Sequence, residues 1–302
     1  MPNGPEGDRD LPHLKGGKFL RLLRDRPGHL VCEILLDGRT AYLKQFYGDD
    51  RATKVRAIAE RLSSAAATLG QGRDAVALPL RIAPDEGYLV FDAAPGQPVA
   101  EALIAADRAE RDRLIARVGI WLLRLVAQSL ERKPFSATYW LRLSERRLAV
   151  AGRHIPRHAL LVAFVEQLRI ESLHLHGVGV ERGASHGDLT PDNLFWDAAR
   201  DRMTGIDLAA RSEIPVALDA ARLLVWLESR RTQPGSEVTD GIDTADHAAL
   251  LSVPGLLADD QRPVLRYLIG VMMLAYYTAA SHNAARRTIL ARAMEDWIRQ
   301  AP

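Results

Sequence analysis

Residues 185–197 read SHGDLTPDNLFWD, and residues 205–210 read GIDLAA. Asp188, Asn193 and Asp207 fall inside these two short stretches, among turn-forming Gly, Pro and Asp residues and beside apolar, strand-like runs. Two carboxylates and a neutral amide oxygen form a hard-ligand set, which suits Mg²⁺ better than a soft metal. Mg²⁺ takes one or two protein carboxylates and leaves positions for water and phosphate oxygens, as a nucleoside triphosphate requires. A nearby carboxylate can also orient and deprotonate an attacking hydroxyl.

Working outward, the chain changes period twice. KFLRLLRD alternates, RPGH turns, and LVCEILLDG and RTAYLKQF follow as two more strands joined by the hairpin signal Asp37-Gly38. Val55, Ile58, Ala59, Leu62, Ala66 and Leu69 then fall on one helical stripe, with Asp49 and Asp50 suited to the start of that helix. ALPLRIA and YLVFDAA read as two further strands around the turn PDEG, and Pro95, Gly96 and Pro98 end the pattern. Beyond Val99 the long periodic segments, at 99–131, 157–176, 217–230 and 264–300, are helical. The expected organisation is a flexible tail over 1–16, a five-stranded, β-rich part with one helix over 17–94, and a mainly helical part over 95–302. The fold class is therefore α+β.

Composition sets outer limits. An apolar share of 47% and a charged share of 26% in 302 residues are ordinary for a soluble globular protein with a sizeable core. The formal net charge of +2 gives no global argument for a nucleic-acid partner. The single cysteine, Cys32, rules out an intrachain disulfide and reads as an inert buried thiol. No apolar leader opens the sequence, and the longest apolar run, Tyr267 to Ala280, is shorter than the roughly 20 residues a membrane span needs. A cytoplasmic protein without a membrane span is expected. Lysine occurs only at 15, 18, 44, 54 and 133, so Lys44, within a strand, stands out.

His186-Gly187-Asp188-Leu189-Thr190-Pro191-Asp192-Asn193 matches the pattern H-x-D-x-x-x-x-N of a kinase catalytic loop. With Gly after the His and Pro ahead of Asn193, it resembles the aminoglycoside phosphotransferase and choline kinase branch of the protein-kinase-like superfamily. Ile206-Asp207-Leu208 is similar to that branch's metal-binding strand end. Pro215 followed by Asp219-Ala220-Ala221-Arg222-Leu223-Leu224 resembles its helix start, and Tyr42-Leu43-Lys44 its third-strand lysine. The resemblance implies a two-lobed, protein-kinase-like fold and ATP-dependent, Mg²⁺-assisted phosphorylation of a hydroxyl on a small molecule. Asp188 would be the catalytic base, and Asn193 and Asp207 would hold the metal. Lys44 would contact the phosphates. The backbone from Asp92 through Ala94 to Pro95 would pair with adenine. His186 would brace the loop. Glu60, on the first helix, would pair with Lys44, although it lies roughly 140° from the centre of the apolar stripe and reads equally as a solvated surface residue. The missing activation segment after Asp207 and the missing Ala-Pro-Glu motif favour a small-molecule acceptor over a protein.

Other readings compete. SHGDLTPDN can be a plain loop, Lys44 an edge-strand lysine, and Asp219 a helix cap. His174 and His176 have metal-ligand spacing for a strand, without other ligands nearby. The stretch 232–261 is acidic and lacks Lys and Arg; it reads as a solvated loop or as a wall for a cationic substrate. Lys15, Lys18, Arg21, Arg24 and Arg26 form a basic run that, with Leu43 to Tyr47, resembles bacterial kinases of lipopolysaccharide sugars. The alternatives to a small-molecule kinase are a non-catalytic nucleotide-binding regulator and a metal-dependent phosphohydrolase, which would need further metal ligands.

Overall fold

The computed structural model describes residues 14–301, apart from Gln71, residues 210–212, Pro234 and Ser236. The chain forms two compact units, Met1–Gln97 with Phe195–Ala210, and Pro98–Leu194 with Arg211–Pro302. The first unit contains β1 (Gly17–Arg26), β2 (His29–Leu36), β3 (Arg39–Phe46), α1 (Arg51–Leu69), β4 (Asp74–Val76), β5 (Pro79–Ala83) and β6 (Tyr88–Asp92), and ends with β7 (Gln97–Pro98). The chain continues through α2 (Val99–Ala105), α3 (Arg108–Val126), β8 (Glu131–Pro134), α4 (Ala137–Ala151), α5 (His158–Leu175) and β9 (Gly179–Ala184). It returns to the first unit for β10 (Leu194–Asp197) and β11 (Arg202–Gly205). Then come β12 (Glu213–Pro215), α6 (Val216–Ser229), β13 (Val238–Thr239), β14 (Ile242–Asp243), α7 (Thr244–Leu251), α8 (Arg262–Ala279) and α9 (Ala284–Arg299).

In the first unit, β1-β2-β3-β6-β5 form an antiparallel sheet of five strands. Asp37 and Gly38 both adopt positive φ, the conformation that a two-residue primed turn requires between β2 and β3. Strand alternation then sorts side chains by face. Cys32, Ile34, Leu36, Ala41, Leu43, Tyr88 and Val90 cluster on one side, and Leu14 packs into the same cluster. Leu14 to Gly16, counted with the N-terminal tail in the sequence reading, are therefore adjacent to the sheet; residues 1–13 lie outside the described residues. Phe46 and Leu89 meet Val55 of α1 on the opposite face. Burying side chains of this size is worth about 1.5–3 kcal/mol each, which fixes α1 on the sheet. Lys44 follows Leu43 by one position, so it shares the Phe46 face, and its Nζ lies 5.6 Å from the Phe46 ring centroid. Burial raises the Cys32 thiol pKa to about 11, so it stays protonated and inert.

The second unit is mainly helical. The apolar run at Tyr267 to Ala280 supplies most of α8, whose buried residues are Val264 to Leu274 and Tyr277 and which packs against α4, α5, α6 and α9. Among the described residues, no helix is long and apolar enough to cross a membrane. A small antiparallel sheet, β12-β9-β8, fixes where the chemistry lies. Glu213 pairs with Ala184 and Pro215 with Arg182. The end of β9 and the start of α6 are thereby held side by side.

Candidate active site

The site residues divide between the units. In the first, the Lys44 ammonium donates to Asp207 Oδ1, joining positions 163 residues apart. Asp207 follows β11, which pairs in parallel with β4. Its backbone φ is +56°, unusual for a residue with a side chain and typical of strained functional positions. Arg24 Nη1 stands 3.9 Å from the other Asp207 oxygen. His29, at the β1–β2 turn, packs its ring 5.9 Å from Phe46. Burial first, then the Lys44 charge, depress its pKa, so the imidazole is neutral at physiological pH. Neither Arg24 nor His29 carries a motif, and only the hairpin register could have pointed to them.

Glu60 is not part of this set. It is exposed on α1, opposite the buried Val55 and Leu62, and Lys44 pairs with Asp207 instead. Asp92 ends β6 with its carboxylate accepting from Ala93 N at 2.9 Å and 3.9 Å from Arg39. Its side chain is thus engaged locally. The backbone N–H and C=O of Ala94 have no hydrogen-bond partner among the described residues, so both remain available to a planar ligand edge. Two residues on, Gly96 has φ +88°, and a Cβ there would lie 2.2 Å from the Trp196 carbonyl oxygen. Only glycine fits at this close approach.

In the helical unit the catalytic-type loop leaves β9 at Ser185. Asp219, fully buried, organises it. Its carboxylate accepts from Ser185 Oγ at 2.6 Å, Gly187 N at 2.8 Å and Leu189 N at 3.4 Å. Asp219 therefore does not cap α6, whose N-cap is Pro215 and which has no side-chain cap. The pairing of β12 with β9 turns the first turn of α6 toward the loop instead, so the carboxylate satisfies loop N–H groups. Gly187 adopts φ +85°, a conformation open to glycine without strain, and its C=O accepts from Arg222. His186 is buried, accepts from Asp188 N at 3.2 Å through Nδ1, and its ring lies 5.9 Å from Trp121. It braces the loop and does not face solvent.

The Asp188 side chain remains 59% exposed, with Arg222 Nε 3.5 Å from Oδ1. A 3-10 turn over Pro191–Asn193 brings Asn193 back, so that its Nδ2 donates to the Asp188 backbone oxygen at 2.9 Å. The amide oxygen of Asn193 is thereby left as the outward, hard ligand. Asp192 accepts from Trp226 Nε1 at 3.0 Å, and Arg230 approaches it at 3.4 Å. Arg222, in contact with Asp188 and the Gly187 carbonyl, is a neighbour of the loop to which the sequence reading gave no role.

The acidic stretch divides between a buried part and a solvated one. Asp246 is fully buried among Arg108, Arg111 and Arg231 at 2.9, 2.7 and 3.0 Å. Asp243 pairs with Arg231 at 3.0 Å, Asp240 with Arg266 at 2.8 Å, Asp259 with Arg262 at 2.9 Å, and Asp260 with Arg132. Asp240, Asp243 and Asp246 thus serve largely buried ion pairs, whereas Asp259 and Asp260 stay exposed and pair at the surface. His174 belongs to α5 and His176 caps it, so the strand-like spacing does not apply.

The family model described as the phosphotransferase enzyme family matches residues 28–256. No curated protein matches the chain. Among solved structures, the GDP and kanamycin complex of the phosphotransferase APH(2")-IIia aligns with TM-score 0.59 at 12% identity, covering 96% of this chain and 94% of that one. A thermostable mutant of aminoglycoside phosphotransferase APH(4)-Ia gives 0.58 at 12% identity, covering 92% and 93%. Macrolide 2'-phosphotransferase type I gives 0.58 at 14%, covering 94% and 93%. At these identities the likeness is one of fold.

Proposed function

The chain belongs to the phosphotransferase enzyme family, of protein-kinase-like fold, and from that premise we propose that it transfers the γ-phosphoryl group of ATP to a hydroxyl of a small molecule. The observation that carries this reading is the ion pair between Lys44 and Asp207. A scarce strand lysine and a carboxylate at a strand end, each chosen from the sequence for phosphate or metal binding, share one set of groups in the first unit.

The roles follow from the chemistry of each group. Lys44 is the phosphate-binding cation, and the free backbone groups of Ala94 are the adenine-pairing edge. Asp188 is the base: as the acceptor oxygen bonds to the γ-phosphorus, the bond to the bridging oxygen breaks, ADP leaves, and the hydroxyl proton passes to the carboxylate. Arg222, bound to the loop carbonyl of Gly187 and close to Asp188, holds that carboxylate in position. Asn193, with an amide oxygen whose nitrogen is already committed, and Asp207, with a carboxylate, are each donors of the kind that suits Mg²⁺. Mg²⁺ would supply neutralisation of phosphate charge. Complexes of the similar structures with ADP and hygromycin B, or with GDP and kanamycin, agree with a nucleotide donor and a small acceptor.

Isothermal titration with ATP and Mg²⁺, together with ADP release in the presence of acceptors, tests the reading. Wild type should bind and turn over nucleotide, and Asp188→Asn should bind it and lose turnover. Binding without turnover in both would indicate a regulator. Phosphate release from substrates without a hydroxyl would indicate a hydrolase. Either result ends the proposal.

A further inference from the structure

A triphosphate chain carries several negative charges, and protein kinases cover it with the backbone of a glycine-rich loop. The first hairpin of this chain is too short for that. β1 and β2 are joined by Pro27 and Gly28 alone. Pro27 has no N–H, and the Gly28 carbonyl oxygen is occupied by Tyr47 N at 2.9 Å. The turn itself can offer a phosphate at most one backbone N–H group.

Side chains of the same hairpin are better placed. Counted back from the turn, Arg26 pairs with His29 and Arg24 with Val31. Val31 in turn pairs with Lys44 on β3. Residues directly opposite one another in a sheet share a face, so Arg24, Val31 and Lys44 form one cross-strand row. Leu22 and Arg24 would share a face in a regular strand, but a register shift lies between them and Leu22 pairs with Cys32, on the other face of β2. A bulge of this kind re-aims a side chain. Arg24 Nη1 stands 3.9 Å from Asp207 Oδ2, while Lys44 donates to Oδ1. The two cations thus approach the two oxygens of one carboxylate, within the first unit.

Their engagement differs. Lys44 is hydrogen-bonded to Asp207, whereas Arg24 is half-exposed and makes no hydrogen bond among the described residues. An ion pair this open contributes little to stability, so the fold has small need of Arg24. Its N–H donors are left for another acceptor, in a fork geometry that matches phosphate oxygens. Arg21, on the same strand and the same face, is instead engaged by Glu33, its cross-strand neighbour.

We propose that Arg24 is a second phosphate-binding residue: with Lys44 it holds the β- and γ-phosphates of the nucleotide on the sheet of the first unit, and supplies from a side chain the contacts that a glycine-rich loop supplies from backbone. The inference rests on the phosphotransferase reading and adds a residue to its donor site.

The test is calorimetric titration with ATP, ADP and AMP, each with Mg²⁺, so that the readout is binding rather than turnover. Arg24→Gln should weaken ATP about tenfold and ADP by a smaller factor, and should change AMP, which lacks both outer phosphates, by no more than about twofold. Arg24→Lys, a second variant that keeps the charge and loses the fork, should recover part of the loss. Arg21→Gln, which removes the same charge from the same face, should leave all three affinities as in wild type. Unchanged ATP affinity in Arg24→Gln would overturn the inference. So would an equal loss for ATP and AMP, the mark of a structural role, or a loss in Arg21→Gln as large as in Arg24→Gln, the mark of a general charge effect. Any of these with a wild type that binds and turns over ATP leaves the kinase reading standing. A wild type that binds no nucleotide removes that reading and the inference with it.

Discussion

Asp246 and Asp188 belong to the same helical unit and meet arginines in opposite ways. Asp246 has no exposed surface and three guanidinium groups within 3.0 Å. Asp188 keeps 59% of its side chain exposed and has one guanidinium, at 3.5 Å. The first carboxylate has every lone pair occupied by the protein, so its charge is used to join α3, α7 and the segment that follows α6. The second is oriented but not saturated, so it can still accept a proton. How fully a charge is compensated therefore separates structural from chemical roles more clearly than residue type does.

The largest effect that can break this comparison is catalytic. Asp188→Asn should lower acceptor-dependent turnover by about a thousandfold, within the range for loss of a general base, while changing the unfolding free energy from urea denaturation by no more than about 0.5 kcal/mol. A stability loss to match the activity loss would mean that Asp188 is structural after all. Asp246→Ala should do the reverse. It removes the ion-pair partner of the part-buried Arg111 and one partner each from Arg108 and Arg231, which keep Asp112 and Asp243, at a cost of about 3 kcal/mol. Chemical denaturation would register this directly, and an unchanged midpoint would undo the distinction.

A smaller effect sharpens it within the Asp246 cluster. Glu228 is 3% exposed, and burial, ahead of the opposing Arg231 charge, raises its pKa to about 7. Arg231 Nε lies 3.2 Å away but makes no hydrogen bond, which explains why burial prevails. The folded chain holds this proton in a pH interval where the unfolded chain has released it. Stability on this account is highest below the ordinary glutamate pKa, falls as pH rises toward about 7, and is level above, a change of at most about 3 kcal/mol. Asp246, held below the usual carboxylate range by Arg111 and its neighbours despite burial, acts oppositely. Its contribution is present above the unfolded pKa and is lost as pH falls through the folded one. Urea midpoints measured against pH should therefore lose their decline toward neutrality in Glu228→Gln. They should keep the loss of stability in acid.

The sequence was most legible where one residue acts through its neighbours in the chain. The strands, the Asp37-Gly38 turn, α1, the 3-10 turn that returns Asn193 and the glycine at 187 are local consequences of residue type. Lys44 was legible because the chain uses so few lysines. Partners far apart in the chain were not. Arg108 meets Asp246 across 138 residues, and no periodicity reports that pairing, so the acidic stretch could be read as solvated. Asp219 looked like a cap because its position in α6 is that of one; only the β9–β12 pairing shows that the loop lies within reach of its carboxylate. The approach of Arg24 to Asp207 is equally invisible in the sequence, because it joins the first strand to a strand end far along the chain.

Glu60 marks the idle end of the same scale and gives the smallest effect. It is exposed on α1, with no partner of the kind that Asp246 or Asp188 has among the described residues. Lys44, the group expected to claim it, is bound to Asp207. If Asp207 is the resident counter-ion of Lys44, Glu60→Ala should change stability by no more than about 0.5 kcal/mol, as for ordinary surface positions. KM for ATP should then stay within about twofold, since uniform binding to the phosphates is unaffected. Lys44→Met, in contrast, should weaken ATP and take from the Asp207 carboxylate, 32% exposed, its nearest cation, with Arg24 standing at 3.9 Å. A Glu60→Ala enzyme that weakened ATP as much as Lys44→Met would mean that the lysine exchanges partners during turnover. The pair with Asp207 would then be one resting arrangement of the site, and α1 would have to bring Glu60 toward the sheet for each reaction.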